Sequence, residues 1–154
     1  MSKMINVFIS HAGEDEKYVE KVKEMLVNRK FVVRDSSVVE SEPNKAKNED
    51  YIKSLLRDKI AWAGEVIVLI GKNTQNSEWI KGEIEVADRV GDKRIIGVFL
   101  PGSTNSDLPD TLNNYADAIV PWDANKLSAA IDGEMIWNDC DGNDRQRSGD
   151  PVTC

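Results

Sequence analysis

Ser77, Trp79 and Glu83 stand at the start of a stretch whose apolar residues recur at helical spacing. Trp79 and Glu83 are four residues apart, so a helix places them on one face, one turn from each other. Asn76 or Ser77 is a good N-cap, because either side chain accepts hydrogen bonds from N–H groups of the first turn. A carboxylate on an inward-facing stripe is costly to bury unless it is paired. Glu83 is therefore either a solvated residue at the edge of the stripe or a functional carboxylate.

Predicted strands and helices alternate along the chain, as judged from apolar runs and helical periodicity. The strands cover residues 4–10, 31–34, 65–70, 94–100 and 118–122. The helices cover residues 14–28, 49–62 and 77–90, and a last helix runs from a cap at Asp123 or Asn125 to about Gly133. Residues 35–48 and 101–117 are predicted to be long connections, and long loops in compact domains tend to be functional or mobile.

Strands without polar alternation, joined by helices, predict a parallel sheet that is buried on both faces. Five such strands fit a flavodoxin-like α/β fold with the strand order 2-1-3-4-5 and helices on both faces, with the Pro121 strand at an edge. The ligand crevice of such a sheet lies at the carboxyl ends of strands 1 and 3. Ser10 and His11 follow strand 1, whereas Trp79 and Glu83 follow strand 3. The topology therefore brings all four residues to a single crevice.

Composition limits the class of protein. The formal net charge is −7 over 154 residues, which argues against nucleic-acid binding. No apolar run approaches the roughly 20 residues of a membrane span, and the N-terminus does not resemble a signal peptide. Cys140 and Cys154 make neither a disulfide framework nor a metal site, so we expect a cytoplasmic protein. We expect one domain over residues 1–133 and a polar tail over 134–154, which is either packed through Trp137 or disordered.

The sequence lacks the motifs of several functional sites that are common in this fold. Neither GxGxxG nor GxxxxGK[ST] occurs, which disfavours a Rossmann dinucleotide enzyme and a P-loop NTPase. There is no Cys/His cluster for zinc, and no serine in a GxSxG elbow that could use the single histidine, His11. The ends of strands 1 and 3, Ile9-Ser10 and Ile70-Gly71, lack the acidic residues of a phosphoacceptor domain.

One carboxylate in a crevice can bind the hydroxyls of a ribose and stabilise an oxocarbenium-like centre. Glycosidases use such a carboxylate together with a second carboxyl group that protonates the leaving group. A single carboxylate is sufficient when the leaving group departs without needing a proton. Nicotinamide leaves NAD⁺ in this way, because it departs from a cationic state as a neutral molecule. NAD⁺ is therefore a candidate substrate, and we expect no separate cofactor and no metal.

The same residues resemble a TIR domain. Val7-Phe8-Ile9-Ser10-His11 resembles the first TIR box, and Ser77-x-Trp79-x-x-x-Glu83 matches the S-x-W-x-x-x-E pattern of NAD-cleaving TIR domains. A wider set of segments resembles the prokaryotic TIR-like family that includes the Thoeris antiphage signal-producing proteins: 35–38, 42–43, 51–52, 66–71 and 94–98, with Ile60 and Thr74. The resemblance covers roughly residues 4–132 and leaves out the tail.

The resemblance implies that Glu83 binds the nicotinamide-ribose hydroxyls and stabilises the cationic centre while an acceptor attacks the anomeric carbon. Water as the acceptor gives ADP-ribose, and a group of the same molecule gives a cyclic ADP-ribose isomer. In some Thoeris relatives another small molecule is the acceptor. The sequence does not choose among them, and a cyclic isomer is the product that we put first.

Further substrate contacts are expected around the crevice: Phe8, Ser10, His11, Asp35, Ser36, Lys45, Ser77 and Trp79. Ser10 and His11 end strand 1, where backbone N–H groups can meet phosphate or ribose. Phe8 is expected in the core with its ring bordering the nicotinamide, and His11 in an exposed loop. Lys45 lies in the loop that corresponds to the TIR BB loop, where it neutralises pyrophosphate, serves self-association or is simply solvated.

Three functions remain open. The first is a TIR-like NAD⁺ glycohydrolase or cyclase that self-associates and makes a signal for a separate effector protein. The second is a non-catalytic TIR scaffold that binds other TIR surfaces through the long loop. The third is a base-exchanging glycosidase acting on free nucleosides. The intact Glu83 motif favours the first function, because a scaffold has no need of that carboxylate.

Overall fold

A five-stranded parallel sheet forms the centre of the computed structural model, which describes residues 3–35, 57–91, 93–140 and 142–143. Its strands are β1 (Lys3–Ser10), β2 (Phe31–Asp35), β3 (Glu65–Ile70), β4 (Arg94–Phe99) and β5 (Ala118–Val120). Their order across the sheet is β2-β1-β3-β4-β5, and every neighbouring pair is parallel. The predicted flavodoxin-like α/β fold is therefore confirmed.

Five α-helices cover the two faces of this sheet within the described residues: α1 (Lys17–Asn28), α2 (residues 57–62), α3 (Glu78–Val90), α4 (Asp110–Tyr115) and α5 (Ala124–Ile131). A short 3₁₀ turn, Gly13–Asp15, precedes α1 where the sequence predicted the first turn of the helix. The part of the predicted helix 49–62 that precedes residue 57 lies outside the described residues. Asp123 caps α5 by accepting hydrogen bonds from the backbone N–H groups of Asn125 and Lys126.

Each face of the sheet has its own apolar core. On the first, which we call the α3 face, strand residues pack with side chains from α2, α3 and α4; the group includes Phe8, Val68, Ile70, Phe99, Ile60, Ile80, Ile84 and Leu112. On the second, which we call the α1 face, strand residues pack with α1 and α5; the group includes Ile5, Val7, Ile9, Leu69, Val98, Val22, Leu26 and Leu127. Strand side chains alternate between these two cores, as expected for a sheet covered on both sides.

The connection between β4 and β5 is more regular than the sequence predicted. Residues 101–117 were expected to be a long connection without a helix of their own, and they contain a 3₁₀ turn, Asn105–Asp107, and the helix α4. The physical reason lies in β4, where Gly97 leaves room for the helix. A Cβ at Gly97 would lie 2.8 Å from Cδ2 of Leu112, so α4 packs directly against the strand backbone.

The outer edge of β5 is paired with a segment of the C-terminal tail. The N–H of Ile119 donates to the carbonyl of Ile136 at 2.9 Å, and the N–H of Asn138 donates to the carbonyl of Ile119 at 2.8 Å. Lys126 on α5 holds the same segment, because its ammonium donates to Oδ1 of Asn138 and to the carbonyl of Gly142. Residues 136–138 thus pack against β5, whereas residues 144–154 of the predicted tail lie outside the described residues.

Candidate active site

The turn between β3 and α3 is held by its own polar side chains. Thr74 accepts a 2.8 Å hydrogen bond from the N–H of Gly71 and donates to the carbonyl of Leu69 at 3.0 Å. Ser77 caps α3, as the sequence predicted, because its hydroxyl accepts from the N–H of Ile80 at 3.2 Å. These bonds fix the first turn of α3 relative to the end of β3 and so fix the direction of the side chains that follow.

Glu83 lies on the inner side of α3 and is 1% exposed. The Ser10 hydroxyl donates to Oε1 of Glu83 at 2.6 Å, which is within the range of short, charge-assisted hydrogen bonds. Burial excludes the interpretation of Glu83 as a solvated edge residue. Ile80 and Ile84 beside it on the helix are fully buried, so the carboxylate is set in an apolar wall with a hydroxyl facing it.

Sheet order brings Ser10 to this position. Ser10 is the last residue of β1 and pairs in register with Val68 of β3. Side chains alternate along a strand, so Ser10 points to the same face as Phe8, which lies in the α3-face core. The carboxyl end of β1 and the inner side of α3 therefore meet at the crevice predicted from topology.

His11 is buried, at 4% exposed, which corrects the expectation that it stands in an exposed loop. Its Nδ1 lies 3.1 Å from the carbonyl oxygen of Ile9. A carbonyl only accepts, so Nδ1 carries a proton and donates to it. Nε2 is buried and has no hydrogen-bond partner among the described residues.

An open groove of about 610 Å³ lies where the loops after β1 and β3 face each other. This volume is within the range of small-molecule sites, about 300–1,000 Å³. Its lining comes from both loops and the start of α3: Ala12, Gly13, Glu14, Asn73, Asn76, Ser77, Glu78 and Trp79. Trp79 is partly buried, and its indole N–H is buried without a partner in the described part of the chain. Glu83 follows one helical turn beyond Trp79 on the same side of α3.

Asp15 is a polar residue of this region that sequence reasoning missed. It is 9% exposed, and its Oδ2 has no hydrogen-bond partner within the described ranges. Burial raises the pKa of Asp15, the charge of Glu14 raises it further, and His11 and Lys17 oppose the shift. Asp15 stands in an acidic run with Glu14 and Glu16, which gave no sign of burial; its carboxyl packs against Gly71, the residue that follows β3.

The residues of this region lie within a family match that covers more than half of the chain. Residues 8–105 match the model of the Thoeris protein ThsB, TIR-like domain. The chain belongs to this Thoeris TIR-like family. Among curated proteins, no sequence matches it significantly.

Solved structures are similar to this TIR-like domain at low sequence identity. A 2-deoxyribosyltransferase from the psychrotolerant bacterium Bacillus psychrosaccharolyticus is 18% identical, with a TM-score of 0.57 over 79% of this chain and 89% of that chain. The TIR domains of the activated Roq1 resistosome, which directly recognises the pathogen effector XopQ, are 20% identical, with a TM-score of 0.45 over 70% of this chain and 66% of theirs.

The structure places only some of the expected substrate contacts of the TIR-like domain. Ser77 and Trp79 line the groove, whereas Phe8 is fully buried in the α3-face core. Asp35 is the last residue of β2, and its backbone pairs with Val7. Ser36 and Lys45, like the side chain of Asp35, lie outside the described residues.

Neither a metal centre nor a membrane span is found in the described parts of the TIR-like domain. Across residues 3–35, 57–91, 93–140 and 142–143, no group of three or more His, Cys, Asp or Glu residues is placed to hold a metal ion. No helix in the same ranges is long and apolar enough to cross a bilayer.

Proposed function

We propose that this TIR-like domain cleaves NAD⁺ at the bond between nicotinamide and ribose and converts the ADP-ribosyl group into a signal molecule for antiphage defence. The observation that carries the proposal is the buried Glu83 carboxylate, which accepts a hydrogen bond from the Ser10 hydroxyl at the carboxyl end of β1. Family membership supports it, because Ser77, Trp79 and Glu83 of the S-x-W-x-x-x-E pattern fall within the matched residues.

In the proposed reaction the C–N glycosidic bond breaks and its electron pair neutralises the pyridinium nitrogen, so nicotinamide leaves without a proton. The Glu83 carboxylate accepts hydrogen bonds from the ribose hydroxyls and stabilises the positive charge that develops on the anomeric centre. An acceptor oxygen or nitrogen then bonds to the anomeric carbon and loses its proton. Intramolecular attack gives the cyclic ADP-ribose isomer that we put first, nicotinamide and one proton, whereas attack by water gives ADP-ribose.

The burial of Glu83 suits this role. A negative charge in a water-poor site acts more strongly on a developing cation than the same charge in water. The Ser10 hydroxyl fixes one carboxylate oxygen before substrate arrives, so less reorganisation is needed as the glycosidic bond breaks. The proposal includes NAD⁺ as substrate, a cytoplasmic site of action, self-association of copies, and a separate effector protein that senses the product.

The test is NAD⁺ consumption by purified protein, with mass spectrometry of every product. Wild type should release nicotinamide, and Glu83→Gln should lose at least 100-fold in rate, on the order of 2.7 kcal/mol of transition-state stabilisation. Glu85→Gln is the matched control, because it makes the same change at an exposed position of α3.

The protein is tested at high concentration and in lysate from phage-challenged cells, so that an assembly or trigger is present. Product mass separates hydrolysis, cyclisation and transfer. NAD⁺ left intact by wild type under all of these conditions would overturn the enzymatic proposal and favour the non-catalytic scaffold.

A further inference from the structure

A second cleft, of about 280 Å³, opens at the same edge of the sheet, and we call it the Asp15 cleft. Its walls come from the start of α1 and the loops after β1, β3 and β4, and they include Glu14, Asp15, Lys17, Tyr18, Lys72 and Ser103. Its volume is near the lower end of the range for small-molecule sites, about 300–1,000 Å³. The proposed cleavage chemistry at Glu83 uses none of these residues.

The Asp15 cleft adjoins the groove that leads to Trp79. Glu14 lines both spaces, and its carboxylate accepts a hydrogen bond from the side-chain amide of Asn73. This bond joins the loop after β1 to the loop after β3. A ligand longer than a single nucleoside can therefore occupy the groove at one end and the cleft at the other, on either side of one shared wall.

The cleft combines groups of both charges. Lys17 and Lys72 are exposed and supply two ammonium groups, whereas Asp15 supplies a buried carboxyl. A buried polar atom without a partner calls for an explanation, and Oδ2 of Asp15 is such an atom in the described part of the chain. Ammonium groups suit phosphates, and a carboxyl oxygen suits the hydroxyls of a ribose. A ribose that carries phosphates presents both partners.

Gly71 keeps this arrangement open at the end of β3. A Cβ at that position would collide with Oδ2 of Asp15, and the carboxyl carbon would be only 3.0 Å away. The absence of a side chain at Gly71 lets the Asp15 carboxyl lie against the backbone at the floor of the cleft. Any larger residue there would displace Asp15.

We propose that the Asp15 cleft binds the adenosine-diphosphate half of the dinucleotide, with Asp15 on the ribose hydroxyls and Lys17 and Lys72 on the phosphates. This inference rests on the proposed function, which places the nicotinamide ribose beside Glu83. The dinucleotide then spans both spaces and crosses the wall formed by Glu14 and Asn73. Binding energy from this remote half positions the scissile bond at Glu83.

The test is calorimetric titration with ADP, which contains the proposed half and cannot undergo the cleavage. Wild type and Glu83→Gln should bind ADP equally, whereas Lys72→Glu and Asp15→Asn should each weaken binding at least tenfold. Lys21→Glu is the matched control, because it makes the same charge change on an exposed face of α1 that does not line the cleft. Nicotinamide riboside, which lacks the adenosine and both phosphates, should bind wild type and Lys72→Glu equally.

The outcomes separate this inference from the proposed function. Equal ADP binding by wild type, Lys72→Glu and Asp15→Asn, or no ADP binding by wild type, overturns the inference even if NAD⁺ is cleaved. The expected losses of ADP binding without any NAD⁺ cleavage support an adenine-nucleotide site and overturn the proposed function alone. Lys72 is exposed, so a folding defect does not confuse that arm of the test.

Discussion

The hydroxyl of Ser10 and the carboxylate of Glu83 form a 2.6 Å hydrogen bond, although 73 residues separate them along the chain. The bond exists because β1 and β3 are neighbours in the sheet and α3 returns over the face to which Ser10 points. The bond orients the Glu83 carboxylate, and the pairing of β1 with β3 fixes the position of Ser10. Such preorganisation reduces the reorganisation that accompanies charge development at a reacting centre.

The first prediction concerns Ser10→Ala, which removes this donor and leaves the space of one hydroxyl. A hydrogen bond to a charged group contributes about 1.5–3 kcal/mol, so we expect kcat/KM for NAD⁺ to fall roughly 10- to 100-fold. Steady-state kinetics on the purified variant gives the measurement. Ser128→Ala on α5 is the control, because its exposed hydrogen bond runs to the carbonyl of Asn125 on the same helix, away from Glu83. Unchanged kcat/KM in Ser10→Ala would show that the bond does not orient Glu83 for catalysis.

The second prediction concerns Asp15→Asn and its dependence on pH. Burial and Glu14 hold the pKa of Asp15 above its ordinary value of 3.8, against the opposing charges of His11 and Lys17. A raised carboxyl pKa gives stability that is present below 3.8 and lost as pH rises through the raised value. The raised pKa thus makes the wild type less stable at neutral pH than at low pH, whereas the asparagine variant, of nearly the same shape, has no carboxyl group at this position to titrate.

We therefore expect Asp15→Asn to unfold at a higher temperature than wild type at pH 7, with the gain shrinking as pH falls towards 3.8. Thermal unfolding followed by circular dichroism across this pH range measures the difference. A constant difference, or one that grows on acidification, would mean that burial does not destabilise the charged form of Asp15.

The strands and the cap of α3 were predictable because their signals are local. The runs 65–70 and 94–99 are almost wholly apolar, which is typical of central parallel strands, and Ser77 precedes a helical period. Helix α4 was not predictable in the same way, because it has six residues and depends on close packing of Leu112 over Gly97. That contact joins a strand to the helix that follows it and leaves no period in the sequence.

The candidate site was predictable in its location but not in its burial. Topology brought Ser10 and Glu83 to one crevice, yet a sequence period does not distinguish a buried carboxylate from a solvated one at the edge of a stripe. His11 and Asp15 were missed as buried groups, because their surroundings come from the ends of other strands. The catalytic role of Glu83 stays a prediction until NAD⁺ cleavage is measured.

The third prediction uses one glycine of β4 and one glycine of α3. Gly97→Ala places a methyl group 2.8 Å from Leu112 and 3.2 Å from Ile70, and overpacking of this kind costs about 1–3 kcal/mol. Gly82→Ala, in the interior of α3, meets nothing within 4 Å and should stabilise by about 0.5–1 kcal/mol through helix propensity. Urea unfolding of both variants should therefore show midpoint shifts of opposite sign. A Gly97→Ala midpoint at or above that of wild type would mean that α4 shifts away without cost.

The last prediction concerns a chain that ends at Gly133. Such a chain lacks the backbone hydrogen bonds of Ile119 to residues 136 and 138 and the contacts of Lys126 and Asn105 to the same segment. Loss of these contacts should lower the unfolding temperature. Because an unpaired, apolar edge strand promotes association, we also expect a larger fraction of the shortened chain to aggregate. A chain that ends at residue 143 keeps those contacts and is the control for tail removal. Light scattering measures the aggregation of the two truncated chains, and thermal unfolding measures their stability. Equal aggregation and equal unfolding temperatures would show that residues 134–143 do not stabilise the domain.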